Sequence, residues 1–267
     1  MSDRPLVLIF MLLVIPAAGR AAGPGPGSPL GRFAAAVSRD YRHYYTTPSN
    51  LLDLGMVLGG AGVLANTHAD RWFTDRWQSD TRSGFTDDLA RPFNKAGHGV
   101  ALALPALYLG ALWAGGYTGH PATDAPVATW GARSLRAFIL GAPQQQLLTH
   151  ALGSGRPTEG NSHWHPFQDS NAVSGHAFYG AIPFLTAARM AHSAPARYGL
   201  YAASALPAFA RINADKHYLS QVVLGWSLAY LATGTVADVD AGSTRGGELT
   251  PAAFSGGALG VAWHRRF

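Results

Sequence analysis

The sequence predicts an all-α protein, a bundle of about six main helices with its functional site at the helix ends. Three observations favour this fold. Apolar residues recur at helical spacing, the stretches 99–122 and 218–237 contain no charged residue, and only 13% of all residues are charged. Since soluble domains usually have about a quarter of charged residues, the deficit indicates either contact with a membrane or a core of many Ala-rich helices.

Length and composition limit the possible functions. The 267 residues suffice for one large or two small domains with a substantial core. The chain has no cysteine, which excludes disulfides and cysteine-ligated metals. A formal net charge of +5 favours anionic substrates or lipid surfaces. Because the basic residues form no patch interleaved with aromatics, we do not expect nucleic acid as a partner.

Residues 1–22 have the pattern of an export signal. Arg4 precedes an apolar run at 6–15, and Pro16 leads into small residues that suit cleavage. The alternative is a membrane anchor that stays attached. Both interpretations place the rest of the chain outside the cytoplasm, and the Gly/Pro-rich stretch 23–29 is then a linker.

The predicted helical domain covers residues 30–240. It begins with helices at 30–44 and 51–65, and the second contains four glycines that permit close helix–helix approach. The charged stretch 68–95 carries three aromatics at helical spacing, which suit either an interfacial helix or burial in the core. These are Trp72, Phe73 and Trp77.

Further helices are expected at 127–150, 171–191 and 198–210, the last interrupted at Pro207. The two uncharged stretches are long enough to cross a membrane, which needs ~20 apolar residues, but Gly, Ser, Thr and Gln dilute them. Residues 241–267 differ in composition. They form a tail or a short β-hairpin, because apolar residues alternate toward the end of the chain.

Three short motifs contain the residues expected to form the site. The first is Arg156-Pro157 after a glycine-rich turn, and the second is Ser174-Gly175-His176 at the head of an apolar helical run. The third is Arg211, followed six residues later by His217. Guanidinium groups and helix N-termini bind phosphate-like oxyanions, and imidazoles act as nucleophiles or proton donors near neutral pH. The motifs therefore predict an oxyanion site.

The order of these motifs resembles the type-2 phosphatidic acid phosphatase and vanadium haloperoxidase superfamily, over about residues 140–235. That family has Lys-x6-Arg-Pro, Pro-Ser-Gly-His and Ser-Arg-x5-His-x3-Asp. The chain keeps both arginines, both histidines and the Ser-Gly pair. Its four departures are Thr149 for Lys, Val173 for Pro, Ala210 for Ser and Gln221 for Asp.

The resemblance implies a mechanism that needs no metal. His217 would attack phosphorus to give a phosphohistidine, while His176 would protonate the leaving oxygen and later activate water. Each charged hydrogen bond to the phosphoryl oxygens would contribute ~1.5–3 kcal/mol. The expected phosphate-binding residues are Arg156, Arg211, Ser174, Gly175 and Thr149.

Gln221 lies one helical turn after His217, on the same face, and is expected to orient its ring. An amide can fix the histidine tautomer but stabilises an imidazolium poorly, so Asp at this position should raise turnover. The competing hypothesis is a pocket adapted to a neutral amide. Thr149 lacks the family's lysine charge, which Lys216 or Lys95 would have to supply.

The resemblance favours a phosphatase that hydrolyses a lipid phosphate, a diphosphate or another phosphomonoester without a cofactor, with vanadate as inhibitor. We expect an exported, membrane-associated protein of the periplasm or cell envelope. One alternative is a haloperoxidase with vanadate as cofactor. Another is a degenerate bundle that binds anionic headgroups without catalysis.

His163 and His165 lie on the loop between the first two motifs. Two close histidines can bind a metal, but no carboxylate or cysteine stands at ligand spacing. We therefore expect no metal site, and assign this loop to the site entrance or to substrate contact.

Overall fold

A computed structural model describes residues 25, 27–96, 99–120, 122–242, 248–253 and 259–264. The predicted export signal at 1–22 lies outside the described residues, as do residues 23, 24 and 26 of the predicted linker at 23–29. That linker is shorter than predicted, because Ser28 caps the first helix and Pro29 begins it. Within the described part, the chain is a helical bundle with two short strands near its C-terminus.

The first half of the bundle contains α1 (Pro29–Thr46), α2 (Pro48–Ala65), α3 (Ala69–Arg76), α4 (Gly84–Ala96) and α5 (Val100–Ala114). One π-helical turn, Trp77–Thr81, joins α3 to α4. Prolines occupy the first turns of α1 and α2, where a missing N–H breaks no helical hydrogen bond.

The second half contains α6 (Pro126–Leu152), α7 (Gly175–Met190), α8 (Ala194–Ser204), α9 (Leu206–Asn213) and α10 (Leu219–Asp240). A 3₁₀ turn, Pro157–Glu159, lies between α6 and α7. Among the described residues, six helices have 15 residues or more, namely α1, α2, α5, α6, α7 and α10. The all-α prediction is therefore confirmed.

Several boundaries differ from the prediction. The uncharged stretch 99–122 is not one helix, because α5 ends at Ala114 and a loop follows. The predicted helix at 198–210 is two helices, with Pro207 in the first turn of α9. Residues 171–174 are a loop before α7, and this loop places Ser174 at the helix N-cap.

The centre of the bundle is formed by α6, α7 and α10. Five large side chains from these helices are almost completely buried, and each contributes ~1.5–3 kcal/mol through burial. They are Leu140, Phe178, Ile182, Leu224 and Leu228. Gly225 allows α10 to approach α7, since a Cβ there would lie 2.4 Å from the Ser174 carbonyl oxygen.

A buried ion-pair cluster joins α1, α6 and α10. Arg136 binds both carboxylate oxygens of Asp40 at 2.7 Å and one oxygen of Asp240 at 2.6 Å. Burial opposes the charge on Arg136, but its hydrogen bonds to Asp40 and the charges of both carboxylates raise its pKa. The cluster is structural, because none of its members belongs to the three motifs.

Two helices in the described part are long and apolar enough to cross a membrane, namely α2 and α10. Only 17% of α2 is buried, whereas half of the apolar window of α10 is buried in the bundle. Thus α2 and α5 carry the larger exposed apolar surfaces, which include Leu51, Met56, Leu107 and Trp113.

The aromatics of the charged stretch divide between surface and interior. Trp72 is 64% exposed. Phe73 stacks on Trp77, which packs edge-on against Phe209 of α9. Phe73 and Trp77 are thus partly buried against the bundle, whereas Trp72 lies at the surface.

After α10, β1 (Glu248–Ala253) and β2 (Leu259–His264) pair in antiparallel orientation. Glu248 lies opposite His264, and Ala253 lies opposite Leu259.

Candidate active site

The three motifs meet at one end of the bundle. Arg156 follows the C-terminus of α6, Ser174 begins α7, and His217 immediately precedes α10. The backbone N–H of Ser174 donates to the carbonyl of Gln221 at 3.0 Å, which joins the second motif to the third. Helix ends therefore bring these residues together, as the sequence predicts.

Gly153 makes the sharp exit from α6 that leads to Arg156. Its φ is +60°, and a Cβ would lie 1.9 Å from the carbonyl oxygen of His165. Only glycine fits there without moving the loop. This turn directs the chain from α6 toward the first turn of α10, where the Gly155 carbonyl accepts a hydrogen bond from Gln221.

Gln221 connects the nucleophile candidate to that loop. Its Oε1 lies 2.8 Å from Nδ1 of His217 and accepts the backbone N–H of Tyr218 at 3.2 Å. Its Nε2 donates to Ser154 Oγ at 2.9 Å and to the Gly155 carbonyl at 2.7 Å. The Gln221 side chain is completely buried, and all of these contacts are within the protein.

This network fixes the tautomer of His217. A flipped amide would place its NH₂ against the Tyr218 N–H and its oxygen against the Gly155 carbonyl, so the oxygen must face His217. Nδ1 is therefore the protonated ring nitrogen. The lone pair is left on Nε2, the nitrogen that faces away from Gln221.

His217 is neutral at physiological pH. Burial, followed by the nearby charges of Arg211, Arg156 and His176, lowers its pKa to about 3, although the hydrogen bond with Gln221 acts in the opposite direction. A neutral imidazole with a free Nε2 is the form that can attack an electrophile.

Arg156 and Arg211 lack carboxylate partners in the part of the chain that the structure describes. Arg156 Nε donates to Asn171 Oδ1 at 2.9 Å, and Arg211 Nη1 donates to Asn94 Oδ1 at 3.0 Å. Arg211 Nε is buried and has no hydrogen-bond partner among the described residues. Two guanidiniums held by neutral amides leave positive charge for an anion.

The arginines also repel one another. Burial and the nearby charge of Arg156 lower the pKa of Arg211. A bound dianion would offset both effects, because it supplies the opposite charge and hydrogen-bond acceptors. The electrostatics of the site therefore favour occupation by an oxyanion.

Ser174 and Gly175 lie at the N-terminus of α7. Ser174 is the N-cap, and its Oγ accepts the N–H of Ala177 at 3.4 Å. His176, in the first turn, is half-buried and acts electrostatically on His217. The positive end of the helix dipole thus lies at the second motif.

Thr149 stands where the resemblance expects a lysine, and its side chain is neutral. Its side chain is buried in α6, where the hydroxyl donates to the Gln145 carbonyl at 2.8 Å and accepts from Gln145 Nε2 at 2.9 Å. The charges that act on His217 come from Arg211, Arg156 and His176, with no lysine among them. The structure therefore assigns neither Lys95 nor Lys216 to this role.

Several supporting residues were not predicted from the sequence. Asn94 and Asn171 hold the two arginines. Ser154 donates to the carbonyl of Ser162 at 2.8 Å, and Ser162 donates to that of Ala65 at the end of α2. Asp70 accepts the Ser220 N–H at 2.9 Å and so caps α10. Apart from Ser154, which lies in the glycine-rich turn before Arg156, these polar residues are outside the motifs, and nothing local distinguishes them.

The loop histidines do not form a metal cluster. The described residues contain no group of three or more His, Cys, Asp or Glu side chains placed to hold a metal. The expectation that no carboxylate stands at a suitable spacing is wrong for His165, whose Nδ1 lies 3.9 Å from Oδ2 of Asp169, four residues further along the chain and at the surface.

Comparison with known proteins finds no matching family model, no similar curated protein and no similar solved structure.

Proposed function

We propose that this chain is a metal-independent phosphatase of the cell envelope that hydrolyses a lipid phosphate or diphosphate through a phosphohistidine. The main support is His217, which is neutral, oriented by Gln221 and close to two arginines without carboxylate partners. Phosphoryl transfer needs this combination of a free nucleophile and positive charge around the phosphoryl oxygens.

In the first step, Nε2 of His217 forms a bond to phosphorus as the bond from phosphorus to the leaving oxygen breaks. Arg156, Arg211 and the N-terminal N–H groups of α7 balance the charge on the phosphoryl oxygens. Nδ1 keeps its proton, which Gln221 Oε1 accepts as a hydrogen bond. The product is a phosphohistidine.

His176 is the acid of that step and the base of the next. Its proton goes to the leaving oxygen, and the neutral ring then removes a proton from water. Water attacks phosphorus, the bond to His217 Nε2 breaks, and phosphate leaves. The arginines hold the phosphoryl group in both steps.

The lipid substrate and the envelope location are supported by composition and by the helices. Within the described residues, α2 and α10 are long and apolar enough to cross a membrane, and the N-terminal sequence has the pattern of an export signal. A site at the ends of such helices is well placed for a headgroup phosphate. A lipid phosphate or diphosphate is therefore the substrate class to test first.

The proposal is tested by phosphate release from phosphatidic acid, phosphatidylglycerophosphate and a polyprenyl diphosphate in mixed micelles, each with and without EDTA. We expect release that EDTA does not change and vanadate inhibits. His217→Ala is the inactive control. Bromide oxidation with added vanadate and peroxide, without phosphate release, would instead establish the haloperoxidase. Headgroup binding without either reaction would establish the non-catalytic bundle.

A further inference from the structure

Helix α4 has its apolar face on the outside of the protein. Phe85, Leu89 and Pro92 lie at positions i, i+4 and i+7, and all three are exposed, Phe85 to 77%. Helices on the surface of a soluble bundle turn the apolar face inward. This exposed surface of Phe85, Leu89 and Pro92 is referred to below as the outer face of α4.

The opposite face of α4 is polar and contacts the protein. Asp87 Oδ1 accepts from Asn213 Nδ2 at 2.7 Å, and Asn94 holds both the Ala210 carbonyl and Arg211. Ala90, between them on the same face, is 1% exposed. The orientation of α4 is therefore fixed by specific hydrogen bonds, so the apolar outer face cannot turn inward.

Helix α4 is connected along the chain to two helices that carry exposed apolar surfaces, α2 and α5. The segment from α3 to α4 connects the C-terminus of α2 to the N-terminus of α5. Ser162 binds the carbonyl of Ala65, the last residue of α2, close to the candidate active site. Because α5 packs antiparallel to α6, with Tyr108 against Gly131, the N-terminus of α5 lies toward the same end.

An open cleft of about 350 Å³ lies where α4 meets the end of α9, and cationic side chains of α4 stand at its edge. Its cations are Arg82, Arg91 and Lys95, of which Arg82 is paired with Asp87 and Arg91 with Asp88; three cations and two carboxylates leave a net charge of +1. Apolar side chains with cations beside them fit a bilayer surface, where the apolar groups enter the acyl boundary and the cations meet anionic headgroups.

We propose that the outer face of α4 lies on an anionic lipid bilayer, with Phe85 and Leu89 inserted into it. Helix α4 then contacts lipid through its outer face and contacts α9, which carries Arg211, through its inner face. Membrane binding then places the two site arginines, Arg156 and Arg211, at the depth of the lipid headgroups. The lipid contact itself does not depend on the phosphatase activity.

The absence of native cysteine allows a direct test in the full-length chain. Phe85→Cys, Leu89→Cys and the control Asp88→Cys each carry one thiol, labelled with an environment-sensitive fluorophore. Asp88 is exposed on the same helix but outside the apolar face. The labelled chains are reconstituted into vesicles of phosphatidylcholine with or without phosphatidylglycerol.

We expect labels at 85 and 89 to show a blue-shifted emission, quenching by brominated lipid and loss of quenching by aqueous iodide. The label at 88 should remain accessible to iodide, and phosphatidylglycerol should increase the protection at 85 and 89. Equal iodide quenching at all three positions would overturn the lipid contact. Equal protection in both lipid compositions would overturn its anionic preference. Protection in lipid-free micelles that disappears on dilution would assign the face to a second copy of the chain.

Discussion

The side-chain oxygen of Gln221 lies 2.8 Å from Nδ1 of His217, while its amide nitrogen lies 2.7 Å from the carbonyl of Gly155. The Gln221 side chain thus sets the tautomer of His217 and connects this histidine by hydrogen bonds to the loop that carries Arg156. An amide has both a donor and an acceptor for these contacts, whereas a carboxylate has only acceptors. The surroundings of Gln221 therefore suit an amide at this position, where the resemblance expects Asp.

The two site histidines should have separable effects. His217→Ala should abolish turnover, because no nucleophile remains. His176→Ala should still transfer phosphate slowly from p-nitrophenyl phosphate, whose leaving oxygen needs little protonation. Trapping with labelled substrate should find acid-labile phosphate on His217. His150→Ala, at an exposed histidine, is the matched control, and label on any other residue would contradict the assignment.

Asn94 should affect activity by holding the Arg211 side chain in position. Asn94→Ala removes the acceptor of Arg211 Nη1 and should lower kcat/KM about 10-fold, which corresponds to ~1.4 kcal/mol for a hydrogen bond to a charged group. Gln78→Ala is the control, because Gln78 donates to the carbonyl of Ile212, which lies in α9 next to Arg211, and has no hydrogen bond to Arg211. Equal losses of activity in the two variants would show that Asn94 acts only through folding.

Sequence patterns predicted the all-α fold, because periodicity and local capping are short-range properties. They could not predict Asn94 as a partner of Arg211, since the two residues are 117 positions apart. They also did not indicate that the hydroxyl of Thr149 contacts the carbonyls of Gln145 and Val173. Contacts between distant segments depend on how the helices pack, and a single sequence does not contain that information.

Acid should destabilise the fold through His217. Its pKa is about 3 when folded and 6.5 in the reference state, so between these values the unfolded chain binds a proton that the folded chain excludes. The free energy of unfolding should therefore decrease as pH falls through this window, by up to about 1.4 kcal/mol per pH unit. Above pH 6.5 this contribution is constant. Urea unfolding of the wild type and His217→Gln should show the difference, and identical pH slopes would contradict it.

The ion-pair cluster should affect stability without affecting the site. Arg136→Leu leaves the carboxylates of Asp40 and Asp240 without this partner, and loss of one member of a buried pair costs about 3–5 kcal/mol. The double variant Arg136→Leu/Asp40→Leu should recover part of this loss. Arg76→Ala breaks an exposed pair with Asp80 and should change the melting temperature little. A small effect of Arg136→Leu would show that the cluster contributes no net stability.

Gln221 gives the sharpest test of the site. The family pattern alone suggests that Gln221→Asp should raise turnover by stabilising the imidazolium. The structure predicts the opposite. A carboxylate at this buried position would face the Gly155 carbonyl, remove its donor and shorten the side chain, at a cost of ~1–3 kcal/mol in stability. Turnover should not rise, because the loop that carries Arg156 loses the hydrogen bond from Gln221 to the Gly155 carbonyl.

The control for Gln221 is a second buried glutamine. Gln144 accepts a hydrogen bond from Tyr44 at 2.8 Å in the core, so Gln144→Leu should lower the melting temperature and leave turnover unchanged. Gln221→Leu should lower both, because His217 loses its acceptor and the ring is free to adopt the other tautomer. Turnover and melting temperature of the three variants separate these effects. A faster Gln221→Asp enzyme with an unchanged melting temperature would show that the pocket accepts a carboxylate and that the amide network is not required.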